Sequence, residues 1–252
     1  MKISTVIITY NEEDRFEPTL KSCFEISDEI VVIDSFSTDK TLEIAKKYKA
    51  KIFQNKFIDY GSQKNIALIK AKNDWVLNLD ADERVSKELK ENIIKLKQKH
   101  EMNADGFLIN RKTFYMGKWI KHSGWYPDTK LRLFRKSKSR WQGRIHERLN
   151  LNGEIQKIDG DILHFTYRNI TDHIKRINRY SKMQAEDIVR KKTKFIYLRL
   201  FLLPPITFIR FYFWKLGILD GFPGIVIAMV SSWGTAMKYM KAIEIKRENK
   251  SN

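Results

Sequence analysis

Cysteine occurs once in the 252 residues, at Cys23, so no disulfide closes within the chain, and a reducing cytoplasm is the expected setting. That lone cysteine reads as a small buried helix residue rather than a reactive thiol. Residues 1–10 lack the apolar length and small-residue cleavage site of a signal peptide. They read as a strand, and the chain is expected to fold from its first residue and to stay in the cytosol. No uninterrupted apolar stretch reaches the roughly 20 residues of a spanning helix. Internal repeats and low-complexity tracts are missing too. Acidic residues are few beside basic ones, 30 against 48, and the net charge of +18 calls for an anionic partner: nucleic acid, an anionic membrane face or a phosphate-bearing substrate. The basic residues are interleaved with aliphatic stretches and no nucleic-acid motif accompanies them, so nucleic acid is not the expected partner.

What is present is a strand–helix alternation over the first hundred residues. Residues 3–9 form a short β-branched run, followed by the polar turn Asn11-Glu12-Glu13-Asp14 and a helix to about Phe24. Residues 29–33 make a second strand ending at Asp34, and a helix follows from about Thr38. Residues 51–54 give a third strand, 61–71 a helix and 75–79 a fourth strand ending at Asp80. Ser86 suits the cap of a helix carrying Leu89, Ile93, Leu96 and His100 at the helical period. This alternation predicts an α/β fold with a mostly parallel sheet and helices on both faces. Ligands of such sheets bind beyond the carboxyl ends of the strands. Thr9-Tyr10-Asn11, Asp34-Ser35 and Asp80-Ala81-Asp82 all stand there.

From Asp105 the strands become shorter and richer in aromatics, at 106–110, 130–134 and 161–165, as in a mixed-sheet extension. A basic helix is expected over 169–192, with Ile174, Ile177, Tyr180, Met183 and Ile188 as its apolar side. Two parts are thus expected, residues 1–165 and a basic, aromatic, helical region of residues 166–252. The latter holds 17 Lys and Arg against 6 Asp and Glu. Its basic residues alternate with Phe, Trp and Tyr, as in helices lying on anionic lipid. Packing on the core or on a second subunit is the alternative.

Asp80 and Asp82 flank one small residue directly after a buried strand. Two carboxylates that close repel unless a cation or proton sits between them. Mg²⁺ or Mn²⁺ with substrate phosphates would answer that need. Asp34 suits a ribose hydroxyl or base N–H, or else a turn; Asp39 suits the start of a helix. Lys64, beside Asn65, could reach a phosphate. In Trp141-Gln142-Gly143-Arg144-Ile145-His146-Glu147, a carboxylate or imidazole could take a proton from an attacking hydroxyl. His146 could instead hold metal or phosphate. Arg132 and Arg135 could contact a diphosphate or a charged acceptor.

Taken in order, Val6-Ile7-Ile8-Thr9-Tyr10-Asn11-Glu12, Val32-Ile33-Asp34-Ser35 with Ser37-Thr38-Asp39, Lys64-Asn65 and Leu79-Asp80-Ala81-Asp82-Glu83 resemble the family 2 glycosyltransferases of GT-A fold. The resemblance covers roughly the first 150 residues. It implies that Thr9, Tyr10, Asn11, Glu12, Asp34, Lys64, Asp80 and Ala81 bind a nucleotide-sugar donor and that Asp82 binds a divalent cation, Mg²⁺ or Mn²⁺. It also implies an inverting hexosyltransferase with a single general base. Arg132-Leu133-Phe134-Arg135 and the 141–147 segment resemble a narrower branch, the lipopolysaccharide core β-1,4-glucosyltransferases, in which a His-Glu pair and a C-terminal Asp-Gly, here Asp220-Gly221, recur. By that resemblance Glu147 is the base, with His146 beside it. The donor is UDP-glucose, and the acceptor is a lipopolysaccharide or lipooligosaccharide inner core, or a related glycolipid, at the inner face of the cytoplasmic membrane. A sugar nucleotidyltransferase is the first alternative, against which stands the lack of glycine in Thr9-Tyr10-Asn11-Glu12. A non-enzymatic basic protein binding membrane or nucleic acid is the second.

Overall fold

Strand β1 (Ile3–Thr9) lies between two parallel strands, which is why six of its seven residues are buried. The computed structural model describes residues 1–99, 102–143 and 147–251. After β1 come α1 (Glu13–Cys23), β2 (Glu29–Asp34), α2 (Thr41–Lys47), β3 (Lys51–Gln54), α3 (Tyr60–Lys70), β4 (Trp75–Asp80), β5 (Glu83–Val85) and α4 (Lys87–Gln98). Then follow β6 (Gly106–Tyr115), β7 (Lys118–Trp119), β8 (Asp128–Arg135), β9 (Ser139–Gln142), β10 (Arg148–Leu151) and β11 (Ile155–His164). The chain closes with α5 (Ile170–Arg190), α6 (Ile196–Ile209) and α7 (Phe222–Ser251). Its contacts divide it into two units, Met1–Arg111 with Asp128–His164, and Lys112–Pro127 with the residues from Phe165 onward.

The main sheet of the first unit runs β3-β2-β1-β4-β8-β6-β11-β5. Its first four strands are parallel; β8 then lies antiparallel to both β4 and β6, and β11 antiparallel to β5. The result is the mixed sheet of a GT-A fold, with parallel strands in one half only. Alternation along the strands sends Ile3, Ile7, Leu77 and Leu79 to one face, where Phe16 and Leu20 of α1 and Leu89 and Ile93 of α4 cover them. Val6, Val31, Ile33 and Val76 go to the other, under Ala67 and Leu68 of α3. Each large side chain so buried contributes about 1.5–3 kcal/mol. Helix α4 starts at Ser86, whose hydroxyl accepts from the Leu89 N–H at 3.2 Å.

In the second unit α5 begins at Asn169, whose side chain caps the Asp172 N–H at 2.9 Å. Its buried residues are His173, Ser181 and Ala185, whereas Ile174 and Tyr180 are exposed, so the expected apolar stripe is rotated. The cause is close packing on α7. A Cβ at Gly234 would stand 2.7 Å from Ile177 Cγ2, and Lys241 Nζ donates to Asn178 O at 2.7 Å and Ser181 Oγ at 2.9 Å. His173 lies among Tyr115, Trp125 and Tyr167 and bonds the Tyr115 hydroxyl through Nδ1 at 2.9 Å. Asp220 is buried and accepts from the Lys121 and His122 N–H groups and from Ser123 Oγ.

Pro204 and Pro205 lie inside α6 without breaking it. Thr207 Oγ1 donates to Leu203 O at 2.7 Å and Ser232 Oγ to Pro204 O at 2.8 Å, satisfying carbonyls around the proline pair. Continued by a π-helical turn at Arg210–Trp214, this segment is long and apolar enough, by length and composition, to cross a membrane, and it is mostly exposed. Phe201, Leu202, Phe213 and Trp214 stand on its surface.

Candidate active site

The parallel register sets Thr9 beside Asp34 and Ile8 beside Asp80, so the three strand ends singled out from the sequence share one sheet edge. Asp80, last in β4, faces two cations: Lys64 Nζ at 3.4 Å from Oδ1 and Arg132 Nη2 at 3.1 Å from Oδ2. Burial raises the pKa of this carboxyl, but the charges of Lys64 and Arg132 prevail and hold it well below the usual range. Arg132 is itself buried and spans Asp80 and the fully buried Glu83, which it reaches at 2.6 Å. Arg111 closes the row, 3.3 Å from Glu83 and 2.6 Å from Asp128. Burial opposes the charge of Arg132, and Glu83 and Asp80 outweigh that effect, so its pKa is raised.

Lys64 also donates to Glu147 Oε1 at 2.9 Å. One ammonium thus bridges the β4 aspartate and the acidic residue before β10, 83 positions away in sequence. The Trp141 ring lies 4.7 Å from Nζ, and Asn65 fixes it by exchanging two hydrogen bonds with the Trp141 backbone, both 3.0 Å. Close approach here needs Gly61, since a Cβ would stand 2.5 Å from the Gly143 carbonyl oxygen. Asn65 therefore anchors β9, and Lys64 is held between two carboxylates.

Asp82 Oδ2 lies 3.5 Å from His164 Nε2 and 3.8 Å from Arg15 Nη1. Burial raises its pKa, and the hydrogen bond of His164 together with Arg15 overcomes that and lowers it. The β5–β11 pairing sets His164 opposite Glu83, which is how residue 164 arrives at residue 82. Sequence reasoning missed His164, Arg15 and Arg111; the only local signal for His164 was its position at a strand end. Among the described residues no group of three or more His, Cys, Asp and Glu is poised around a common metal position. A carboxylate with one imidazole nevertheless suits Mn²⁺ or Mg²⁺, which take few protein ligands and complete their shell with substrate phosphates and water.

The two loops at the edge are stitched together. Asn11, at φ 51°, donates its N–H to Ser37 Oγ at 2.9 Å and accepts from the Thr38 N–H at 2.8 Å; the Glu12 N–H donates to Thr41 Oγ1 and the Glu13 N–H to Asp39. Both Asp34 oxygens are engaged, by Ser37 N–H at 2.9 Å and Ser37 Oγ at 2.5 Å, with Gln54 Nε2 at 3.2 Å. Asp34 is fully buried and shapes the loop. Thr9 Oγ1 is buried with no hydrogen-bond partner among the described residues, while Tyr10 is 58% exposed. Ala81 contributes its carbonyl, which accepts from Thr19 Oγ1 at 2.8 Å.

Arg135 is not brought to this cluster. Strand β8 runs antiparallel to β4 and sets Arg135 opposite Trp75, at the far end from Asp80. There it pairs with Asp74 at 3.2 Å and Asp105 at 3.3 Å. His146 lies outside the described residues.

Residues 4–148 match the family described as Glycosyl transferase family 2. An uncharacterized glycosyltransferase of Rickettsia typhi is 32% identical over 263 residues, 99% of this chain and 89% of the relative. The lipopolysaccharide core biosynthesis glycosyltransferase LpsC of Rhizobium meliloti is 29% identical over 258 residues, 98% of this chain and 94% of its own. Among solved structures, S. aureus TarS 1-349 in complex with UDP superposes with a TM-score of 0.50 at 20% identity, covering 99% of this chain and 92% of that one, a likeness of fold. The nucleotidyltransferase and non-enzymatic readings fall away. With its ordered strand-end motifs and its mixed sheet, the chain belongs to glycosyl transferase family 2.

Proposed function

We propose that this glycosyltransferase is inverting and moves a hexose, glucose from UDP-glucose, to a lipopolysaccharide or lipooligosaccharide inner core or a related glycolipid at the inner face of the cytoplasmic membrane. The observation that carries the reading is the Lys64 bridge, which ties Glu147 to the edge where Asp80 stands. Similarity to LpsC over nearly the full length of both chains supports the acceptor class. The exposed apolar segment Ile196–Trp214, in a region rich in Lys and Arg, supports contact with anionic lipid.

In this reading Thr9, Tyr10, Asn11 and Glu12 face the nucleotide, Thr9 offering its unpartnered buried hydroxyl and Tyr10 its exposed ring. Asp34 keeps the facing loop in shape. Asp80, with Ala81 behind it, orients the donor sugar, and Lys64 and Arg132 hold Asp80 ionised and in place. Asp82 and His164 are the residues that would hold Mg²⁺ or Mn²⁺, whose charge would offset that of the departing diphosphate. Glu147 takes the proton of the acceptor hydroxyl as that oxygen attacks the anomeric carbon from the face opposite the leaving group. His146 stands beside it in sequence. Arg135 has no part in this step.

The test is binding and slow hydrolysis of a panel of UDP-, GDP- and dTDP-sugars by the purified chain, with and without Mn²⁺. Metal-dependent hydrolysis of UDP-glucose alone is the expected result. No binding of any nucleotide sugar by folded protein would overturn the site; preference for another UDP-sugar would overturn the donor alone.

A further inference from the structure

The cations expected from the sequence to meet a charged acceptor are already matched by carboxylates: Arg132 is buried on Asp80 and Glu83, and Arg135 pairs with Asp74 and Asp105 at the far end of β8. Two other arginines have no ion-pair partner among the described residues. In the separate two-stranded ribbon of β9 and β10, Arg140 lies directly opposite Asn150 and Gln142 opposite Arg148. All four side chains project to the exposed face, while Trp141, Leu149 and Leu151 turn inward to the core. The arginines occupy one diagonal of this square and the amides the other, where Asn150 Nδ2 donates to Gln142 Oε1 at 2.9 Å.

Diagonal neighbours on one face stand roughly 7–8 Å apart at the backbone, so two guanidinium groups can converge on one anion. Arg140 and Arg148 have no ion-pair partner among the described residues, and neither strand carries an acidic residue. Lys138, nearby, is already matched to Asp105 at 2.9 Å. The ribbon face runs into an open cavity of about 710 Å³, lined by Lys138, Arg140, Asn150 and Asn152 among others. At its other end Arg148 follows Glu147, whose side chain turns inward to Lys64.

We propose that the outer face of the β9–β10 ribbon binds the acceptor through a phosphate carried on its saccharide, with Arg140 and Arg148 forking onto the phosphate and Gln142 and Asn150 meeting sugar hydroxyls. The proposal rests on the reading of Glu147 as the base, because it lays the acceptor along a strand that begins beside that residue. Two like charges on one face repel each other when nothing lies between them. An anion there converts that repulsion into two charge-assisted hydrogen bonds, and the amide pair suits hydroxyl-rich ligands.

The experiment follows the arginine Nε–Hε resonances of the full chain during titration with mannose 6-phosphate, mannose and inorganic phosphate. Saturable shifts at Arg140 and Arg148 with mannose 6-phosphate, with a dissociation constant on the order of 1 mM, are expected, and none with mannose. Inorganic phosphate should bind more weakly. Arg140→Gln and Arg148→Gln should each weaken binding about tenfold at an unchanged melting temperature. Unmoved resonances, or variants that bind as well as the parent, overturn the proposal. So does equal affinity for inorganic phosphate, which makes the ribbon a general anion site. A double variant that loses binding to phosphatidylglycerol vesicles but keeps mannose 6-phosphate also overturns it, because the ribbon then reads lipid headgroups. UDP binding by the parent chain, measured alongside, separates the two readings: with UDP bound and the ribbon silent, only the acceptor site falls.

Discussion

Replacing Arg132 by Met should destabilise the first unit sharply and in a pH-dependent way. The side chain is 5% exposed and places one nitrogen 2.6 Å from Glu83 and 3.1 Å from Asp80. Removing one partner of a buried ion pair costs about 3–5 kcal/mol, because the other charge is left without compensation. Arg111 remains 3.3 Å from Glu83 and Lys64 3.4 Å from Asp80, so the lower end, about 3 kcal/mol, applies here. For a chain of this length that is a fall of roughly 6–12 °C in melting temperature. Adding Glu83→Gln removes the orphaned charge and should recover about half of the loss. Asp80 supplies the pH signature. Its folded-state pKa is lowered, so its contribution is present above the unfolded value of about 3.9 and is lost as the pH falls through the folded one. The gap between parent and Arg132→Met should therefore narrow as the pH falls below about 4. Denaturant titration and thermal melts monitored by tryptophan fluorescence, Trp75 and Trp141 lying in this unit, together measure these quantities. A variant melting within about 2 °C of the parent, or a double variant no more stable than Arg132→Met, would refute the account of a charge row built on Arg132.

Asp82→Asn and His164→Gln should each lower metal-dependent donor hydrolysis by at least about 100-fold and raise the Mn²⁺ concentration needed for half-maximal rate, with little change in melting temperature; full activity in either removes that residue from the metal site. His173 is held neutral: burial moves its pKa from 6.5 down to about 4, so below pH 6.5 the unfolded chain takes up the proton first and stability falls. The loss is about 2 kcal/mol by pH 5, and it should vanish in His173→Gln; an equal slope in that variant would exclude His173 as its source. Burial likewise pushes the Cys23 thiol up to about 12, so Ellman's reagent should label it only as the protein unfolds, and rapid labelling of native protein at pH 8 would contradict the packing around α1.

The strand ends were legible because a parallel α/β order fixes their side of the sheet from local patterns alone. Ile3–Thr9, Glu29–Asp34 and Trp75–Asp80 read as short apolar runs ending in polar residues, and their parallel direction follows from alternation with helices. The cap at Ser86 was equally local. On the α5 helix, periodicity showed a helix but not its buried side, which the approach of Gly234 to Ile177 decided.

For the site, the residue types and spacing of Thr9-Tyr10-Asn11, Asp34 and Asp80-Ala81-Asp82 determined which edge carries the polar groups, since each motif follows its own strand directly. Only tertiary structure decided which distant residues join them. Arg132 and Arg135 look alike in the chain, and the antiparallel register of β8 sends one to Asp80 and the other to Asp74 and Asp105. His164 reaches Asp82 because β11 pairs with β5, a contact between segments some eighty positions apart. Lys64 could be read as a phosphate ligand from its own neighbourhood; its place between Asp80 and Glu147 depends on where the β9–β10 ribbon returns. Local propensity and alternation act over a few residues, whereas these pairings are set by strand order across the sheet, which short-range patterns do not encode.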